Sequence, residues 1–159
     1  MPAQHSGDDR PPRKMIFKQL RSKTLNLKNL LRINAFLFIG AGIAFALYAP
    51  LVLGMYGILG AEGDTLLYWY STSFARMYGA ALFGFGFLVW AVSNLPEIVQ
   101  PGSAARRAVI LAMILANSLG LFVAVTQQVS IWGSAAGWIT TGVYLLLLCG
   151  YSILLAVRK

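Results

Sequence analysis

Four long apolar segments constrain what this chain can fold into more than any other feature of its sequence. They cover approximately residues 33–53, 74–92, 107–127 and 131–157. Each is near or above the roughly 20 residues that an α-helix needs to cross the hydrocarbon core of a bilayer. The composition agrees, because 58% of the 159 residues are hydrophobic and only 11% are charged, whereas soluble domains are about 25% charged. The sequence therefore predicts an all-α polytopic membrane protein, with a four-helix transmembrane bundle formed by residues 33–159.

Positive charge is concentrated before the first apolar segment. Residues 1–13 are polar and contain prolines, which is typical of a disordered tail. Apolar positions in residues 14–32 recur at spacings of three and four, which predicts a basic amphipathic juxtamembrane helix on the membrane surface. The alternative is a mobile basic flank that only fixes orientation. In both cases we expect contacts with anionic lipids on the cytoplasmic side and none with nucleic acid. The cations that lie off the apolar stripe are Lys14, Lys18, Arg21 and Lys28.

The distribution of Lys and Arg also predicts how the bundle is oriented. Arg106 and Arg107 lie between the second and third spans, on the same side as the basic N-terminal segment, and the last two residues of the chain are basic. The other side carries Glu62 and Asp64 in the first loop and a tight uncharged turn at residues 127–130. By the positive-inside rule, both termini are expected in the cytoplasm. A bacterial inner membrane is the expected location.

The segment after the first span allows two interpretations. Pro50 lacks a backbone N–H and is expected to end or kink the span. Residues 50–60 then form either an interfacial helix, which we favour, or an extension of span 1 through Leu59. Irregular backbone at this depth is expected only against protein or in the interface, because unpaired peptide groups in lipid are costly.

Few polar side chains occur inside the spans. Asn117 lies near the middle of the third span, and Thr140 and Thr141 lie at a similar depth in the fourth. They are candidates for a polar spot in a small binding cavity, or for hydrogen bonds between helices, which are worth about 0.6 kcal/mol each. The single histidine, His5, lies in the N-terminal tail, and the single cysteine, Cys149, permits no intrachain disulfide. We therefore expect no metal and no cofactor.

Small residues at four-residue steps predict close helix packing, either within the bundle or in a homodimer or larger membrane complex. The steps are Gly42 with Ala46, Ala80 with Gly84, and Gly133 with Gly137, and Gly79 is assigned to helix packing beside them.

Arg76 is the only basic residue that this topology places toward the outer side, at the start of the second span. Three roles are open. Its side chain extends to the lipid head groups, or it pairs with Glu62 or Asp64, or it holds an anion or a polar lipid or quinone head in an outward-facing pocket. The planar guanidinium suits the last two roles, because it matches carboxylate or phosphate bidentately. A cation at a helix N-terminus opposes the helix dipole, which argues that something offsets its charge.

The order of these features resembles the DoxX-like superfamily of small four-span membrane proteins. The glycine-rich first span "GAGIAFALYAP" is followed by a loop and then by "ARMYGAALFGFGFLVWAV", in which an arginine leads a span of small residues. Only Arg76 and Gly79 match the arginine-then-glycine pattern of that group, and the resemblance implies a structural role for them, not a functional one. DoxX itself is a subunit of a thiosulfate:quinone oxidoreductase, and other members are accessory or uncharacterised proteins.

Three functional hypotheses follow from the sequence. The first is a non-catalytic accessory or assembly protein of the DoxX-like kind. The second is a binder or carrier of a lipid or quinone, with an outward-facing site near Arg76. The third, least supported, is a membrane subunit of a quinone-linked oxidoreductase.

Overall fold

The computed structural model describes residues 26–58 and 65–157, and in them the protein is an all-α four-helix membrane bundle with no β-strand. Four of its helices are long and apolar enough to cross a membrane. In chain order the elements are α1 (Leu27–Met55), α2 (Thr65–Val92), the short α3 (Pro96–Val99), α4 (Ala104–Gln127), a π-helical turn (Gln128–Trp132) and α5 (Ala135–Ala156). The predicted N-terminal tail and most of the amphipathic helix lie outside the described residues. So do Lys14, Lys18, Arg21, Glu62 and Asp64.

Helix α1 begins earlier than the predicted first span. Asn26 caps its N-terminus, where its side chain accepts a hydrogen bond from the backbone N–H of Lys28 at 3.3 Å. The last part of the segment predicted as an amphipathic helix is therefore continuous with the first membrane helix. In that part Leu27, Leu30 and Leu31 are buried within the bundle.

The segment around Pro50 bends α1 without ending it. Tyr48, two residues before Pro50, has non-helical backbone angles (φ −118°, ψ 33°), as expected where a proline removes one helical hydrogen bond. The helix ends at Met55, and the backbone N–H of Ile58 donates to the carbonyl of Leu53 at 3.0 Å. Gly57, at φ +74°, supplies the left-handed residue that this C-terminal cap requires. The helix of the first span thus continues past Pro50 to Met55, which contradicts a separate interfacial helix beginning at Pro50, the interpretation favoured from the sequence. Leu59 lies outside the described residues.

Helix α2 begins at Thr65, well before the predicted start at residue 74. Tyr68, Trp69 and Tyr70 are exposed residues of its first turns, and such aromatic side chains are typical of a membrane interface. Arg76 consequently lies about three turns inside the helix. The expected opposition between its charge and a helix N-terminus does not hold, because the macrodipole acts mainly within the first turn.

Helices α1 and α2 form a tightly packed antiparallel hairpin. A Cβ atom added at Gly42 would lie 2.5 Å from the backbone nitrogen of Phe83 and 2.8 Å from the carbonyl oxygen of Gly79. A Cβ atom at Gly79 would clash with the backbone of Ala46. Small residues at these positions are what allow the two backbones to meet.

Helices α4 and α5 form the second hairpin. The π-helical turn extends α4 to Trp132, Gly133 reverses the chain at φ +55°, and Ser134 caps α5 by accepting from the backbone N–H of Gly137 at 3.3 Å. The reversal therefore falls at residues 133–134, not at 127–130 where the sequence predicted the turn.

The two hairpins meet where α1 begins and α5 ends, which we call the terminal end of the bundle. Leu31 and Ala35 of α1 and Leu147 and Tyr151 of α5 belong to the buried cluster there. Within it the side-chain amide of Asn34 donates to the hydroxyl of Tyr151 at 3.2 Å. The opposite end, where α1 ends and the π-helical turn lies, is called the turn end. Between the two ends the hairpins separate, and at the turn end Tyr56 and Trp132 are in contact again, with ring centroids 4.7 Å apart.

Candidate functional site

A cavity of about 980 Å³ lies between the two hairpins. It extends from Leu37 to Tyr56 along α1, a length of about 28 Å at 1.5 Å per residue. That is close to the thickness of the hydrocarbon core of a bilayer, about 30 Å. Close backbone contacts between α2 and either α4 or α5 are almost absent among the described residues. On that side the cavity is therefore bounded by α2 and by α4 and α5, which are separated from α2.

The wall nearest the terminal end is apolar. It is formed by Leu37 and Phe38 of α1, Leu82 of α2, and Ala116 and Leu119 of α4. At this depth the apolar residues that face the opposite hairpin do not contact it. They therefore line the cavity. Such a surface favours an apolar occupant, since water in it would find few hydrogen-bonding partners.

The polar groups of the cavity lie toward the turn end and at its middle. Tyr56 and Thr140 form a hydrogen bond of 2.5 Å between their hydroxyl oxygens. Ser71 and Gln127 line the same half. Nearer the middle, the hydroxyl groups of Tyr78 and Tyr144 approach each other across the cavity, one from each hairpin. Every one of these groups is uncharged.

Aromatic rings pack together beside the polar groups. The Phe45 ring meets Tyr78 edge to face, with centroids 5.4 Å apart, and stacks on Tyr56 at 6.2 Å. Tyr56 in turn contacts Trp132 at 4.7 Å. Such pairs contribute beyond the area they bury. They fix the orientation of the tyrosine hydroxyls and link the kinked end of α1 to the π-helical turn.

Of the four residues that the sequence proposed for ligand binding, Thr140 lines the cavity, and Arg76, Asn117 and Thr141 do not. Asn117 is 1% exposed, and its side-chain amide donates to the carbonyl of Met113 at 2.7 Å. Thr141 donates to the carbonyl of Gly137 at 2.9 Å. Both side chains therefore bond to their own helices, whereas Thr140 makes the bond between hairpins.

Arg76 is exposed on α2, and no hydrogen bond or ion pair joins it to another residue in the described part of the chain. Its neighbours Ala75 and Tyr78 line the cavity, but Arg76 itself is on a different face. Exposure fits extension of the side chain to the lipid head groups. The pairing with Glu62 or Asp64 stays a prediction, because those residues are outside the described ranges.

Some of the residues predicted for helix packing lie in close contacts, and the others do not. Gly42, Ala46 and Gly79 lie in the contact between α1 and α2. Gly137 packs against the side chain of Gln128 in the π-helical turn. The rest lie elsewhere: Ala80 and Gly84 are exposed on α2, and Gly133 is in the turn before α5.

The tyrosines of the cavity were not among the residues predicted for ligand binding. Tyr78 lies only four residues into the predicted second span, whereas Tyr144 falls in the middle of the predicted fourth span, away from the interfacial positions that tyrosine usually occupies. A hydroxyl group inside an apolar span needs a hydrogen-bond partner, so a tyrosine at that depth was the available signal. Tyr56 carried no such signal, because its place depends on the kink at Tyr48.

The chemistry available in the described cavity is that of neutral donors and acceptors in an apolar surround. No Asp, Glu, Lys, Arg or His is among the described residues that line it. The described residues also contain no cluster of His, Cys, Asp and Glu suited to a metal ion. The arrangement is able to enclose a lipophilic molecule and to hydrogen-bond a polar group on it.

Comparison of the chain with protein-family models, curated proteins and solved structures finds no match.

Proposed function

We propose that this protein is an integral membrane protein that binds a lipophilic small molecule, such as a lipid or a quinone, in the cavity between its two hairpins. The observation that carries the proposal is the cavity itself, about 980 Å³ in volume, within a bundle whose helices otherwise pack closely in pairs. Ligand sites are typically apolar clefts of about 300–1,000 Å³ with a few placed polar groups. The site lies between the hairpins and not at Arg76.

The apolar surface supplies the affinity in this proposal. Burial of apolar area gains about 25 cal/mol per Å² when the reference state is water. A ligand taken from the bilayer gains less, because lipid is already apolar. Selectivity over bulk lipid then depends on shape and on the hydroxyls of Tyr56, Thr140, Tyr78 and Tyr144.

Mild-detergent purification followed by mass spectrometry of extracted small molecules tests the proposal. The test variant is Ala116→Phe, which adds a large side chain to the cavity wall. Its matched control is Ala112→Phe, one turn away on α4, at an exposed position outside the cavity. We expect a lipophile to co-purify with the parent protein and with the control. The amount bound per protein should be at least about tenfold lower in Ala116→Phe, because the phenylalanine ring occupies the volume that the ligand needs.

Equal retention by Ala116→Phe and Ala112→Phe would contradict binding in the cavity. Thermal unfolding of both variants in the same detergent shows whether each is folded. If Ala116→Phe unfolds, the smaller Ala116→Leu replaces it in the comparison.

A second candidate is a non-catalytic accessory or assembly protein of the DoxX-like kind. It is favoured by open small-residue positions on the α1–α2 hairpin. A Cβ atom added at Gly40 or Gly84 would meet no heavy atom within 4 Å, so another membrane helix has room to approach there. The same purification separates the candidates, because an assembly protein retains a partner chain at stoichiometric yield. A redox partner that co-purifies with an absorbing cofactor would support the oxidoreductase-subunit hypothesis.

The orientation in which we propose this function places both ends of the chain in the cytoplasm. The support is the basic N-terminal segment together with Arg106 and Arg107. A reporter fused after residue 159 tests it. Activity that appears only on the outer side of the membrane would reverse the assignment.

A further inference from the structure

The cavity changes character along its length. Helices α1 and α4 run from the terminal end to the turn end, whereas α2 and α5 run the opposite way. Leu37, Leu82 and Leu119 therefore lie toward the terminal end, and Tyr56, Gln127 and Thr140 lie toward the turn end. Tyr78 and Tyr144 fall between the two sets. The cavity is thus apolar at one end and hydrogen-bonding at the other.

The charge of the described wall restricts the ligand further. Its polar side chains are Ser, Thr, Tyr and Gln, and none of its described residues is ionisable at neutral pH. Arg76, the nearest basic residue in sequence to the wall on α2, does not line it. An ionised head group enclosed here would lose its hydration without gaining a counter-ion, which is costly inside a membrane. A hydroxyl or carbonyl head group would lose its hydration but regain hydrogen bonds from the tyrosines.

On the basis of the proposed function, we propose that the ligand is an amphiphile with an uncharged, hydrogen-bonding head group. The head lies in the polar part of the cavity, which runs from Tyr144 at the middle to Tyr56, Gln127 and Thr140 at the turn end, and the apolar chain points toward Leu37 and Leu119 at the terminal end. The gap between α2 and α4 gives the molecule a route from the surrounding lipid, because these helices make few close contacts in the described residues.

Trp132 provides a direct reporter of this site, because it lines the cavity at the turn end. A protein that retains Trp132 as its single tryptophan is titrated in detergent with brominated amphiphiles of one chain length, since bromine quenches tryptophan on contact. The three probes are a fatty alcohol, an alkyl sulfate and an alkyltrimethylammonium, which differ in charge only at the head. The matched control retains only Trp90, an exposed residue of α2 outside the cavity.

We expect saturable quenching of Trp132 by the alcohol, with an apparent affinity at least about tenfold higher than for either charged probe. Bromine placed near the head should quench Trp132 more strongly than bromine at the chain end. Trp90 should show only weak, non-saturable quenching, which arises from partitioning of the probes into the detergent. This quenching should be equal for the three probes of one chain length.

The possible results separate the inference from the proposed function. Equal saturable quenching by a charged probe, or stronger quenching from the chain end, overturns the uncharged head or its orientation while lipophile binding stands. Absence of saturable quenching by all three probes in a folded protein overturns both.

A variant pair checks which hydroxyls contact the head group. Tyr144→Phe removes one hydroxyl of the cavity, whereas Tyr70→Phe removes one from an exposed tyrosine of α2 that is not part of the wall. We expect Tyr144→Phe to lower alcohol affinity about three- to tenfold, as the loss of one neutral hydrogen bond does. It should leave the weak quenching by the charged probes unchanged. Equal alcohol affinity in the two variants would exclude Tyr144 from the head-group contact and overturn the placement of the head beside it.

Discussion

Tyr56 donates its hydroxyl proton to Oγ1 of Thr140, which joins the end of α1 to α5 across the gap between the hairpins. The two oxygens lie 2.5 Å apart, and Oγ1 of Thr140 also lies 3.0 Å from the carbonyl oxygen of Ala136 in its own helix. Since a threonine hydroxyl has one proton and Ala136 offers only an acceptor, Thr140 donates to Ala136 and accepts from Tyr56. This bond holds the turn end of the cavity together.

Removal of either hydroxyl should therefore weaken the bundle. We expect Tyr56→Phe and Thr140→Val each to lower the free energy of unfolding by about 0.6 kcal/mol, the average for hydrogen bonds between membrane helices, and by no more than about 1.7 kcal/mol, the largest such value. Their combination should cost less than the sum, because both remove the same bond. Unfolding in mixed micelles at increasing denaturing detergent gives the values. Tyr48→Phe, at an exposed tyrosine of α1, is the control. Strict additivity of the two substitutions would show that the hydroxyls are not coupled.

The contact between α1 and α2 predicts a contrast between two glycines of one helix. Gly79→Ala should lower the free energy of unfolding by about 1–3 kcal/mol, because the new methyl group meets the backbone of Ala46 and overpacks the interface. Gly84→Ala should be neutral or stabilising by up to about 1 kcal/mol, since it has open space and alanine favours helix. The same detergent unfolding measures both. A larger loss in Gly84→Ala than in Gly79→Ala would place the helix contact on the other face of α2.

The number and type of the membrane helices were readable from the sequence because a bilayer demands about 20 apolar residues per span. The ends of the helices were not, because local caps decide them. Gly57 ends α1, and Gly133 with Ser134 sets the final reversal. The length of an apolar run does not reveal capping residues of this kind. Helix α2 also gained its first turns from Thr65 onward, where aromatic side chains mark an interface without ending a helix.

The site was less readable, because a cavity depends on which residues fail to meet across the bundle. Of the polar residues predicted for the site inside the spans, Thr140 lines the cavity, whereas Asn117 and Thr141 do not. The sequence shows how deep a residue lies along a span. It does not show which face of the helix lines the cavity, because that depends on how far apart the two hairpins lie. Arg76 drew attention because it is charged, although its own position on α2 is exposed.

Asn117 offers a test of whether a buried polar residue belongs to the site or to the helix. Its amide nitrogen bonds within α4, and its carbonyl oxygen has no hydrogen-bond partner within the described chain. We expect Asn117→Leu, of similar size, to raise the free energy of unfolding by about 1 kcal/mol, because it removes a buried unpaired acceptor. Lipophile retention should be unchanged. Lower stability together with loss of the bound molecule would instead give Asn117 a place in the binding site.

Arg76 provides the sharpest separation between the site inferred from sequence and the cavity in the structure. Because Arg76 is exposed and lies off the cavity wall, Arg76→Leu should change lipophile affinity by less than about twofold, as a surface substitution does. The measurement is the fatty-alcohol titration of the protein with Trp132 as its single tryptophan. Arg76→Lys, which keeps the charge, serves as the control. A loss of tenfold or more in Arg76→Leu that Arg76→Lys restores would return the binding site to this arginine, since only a charge-dependent contact with the ligand produces that pattern.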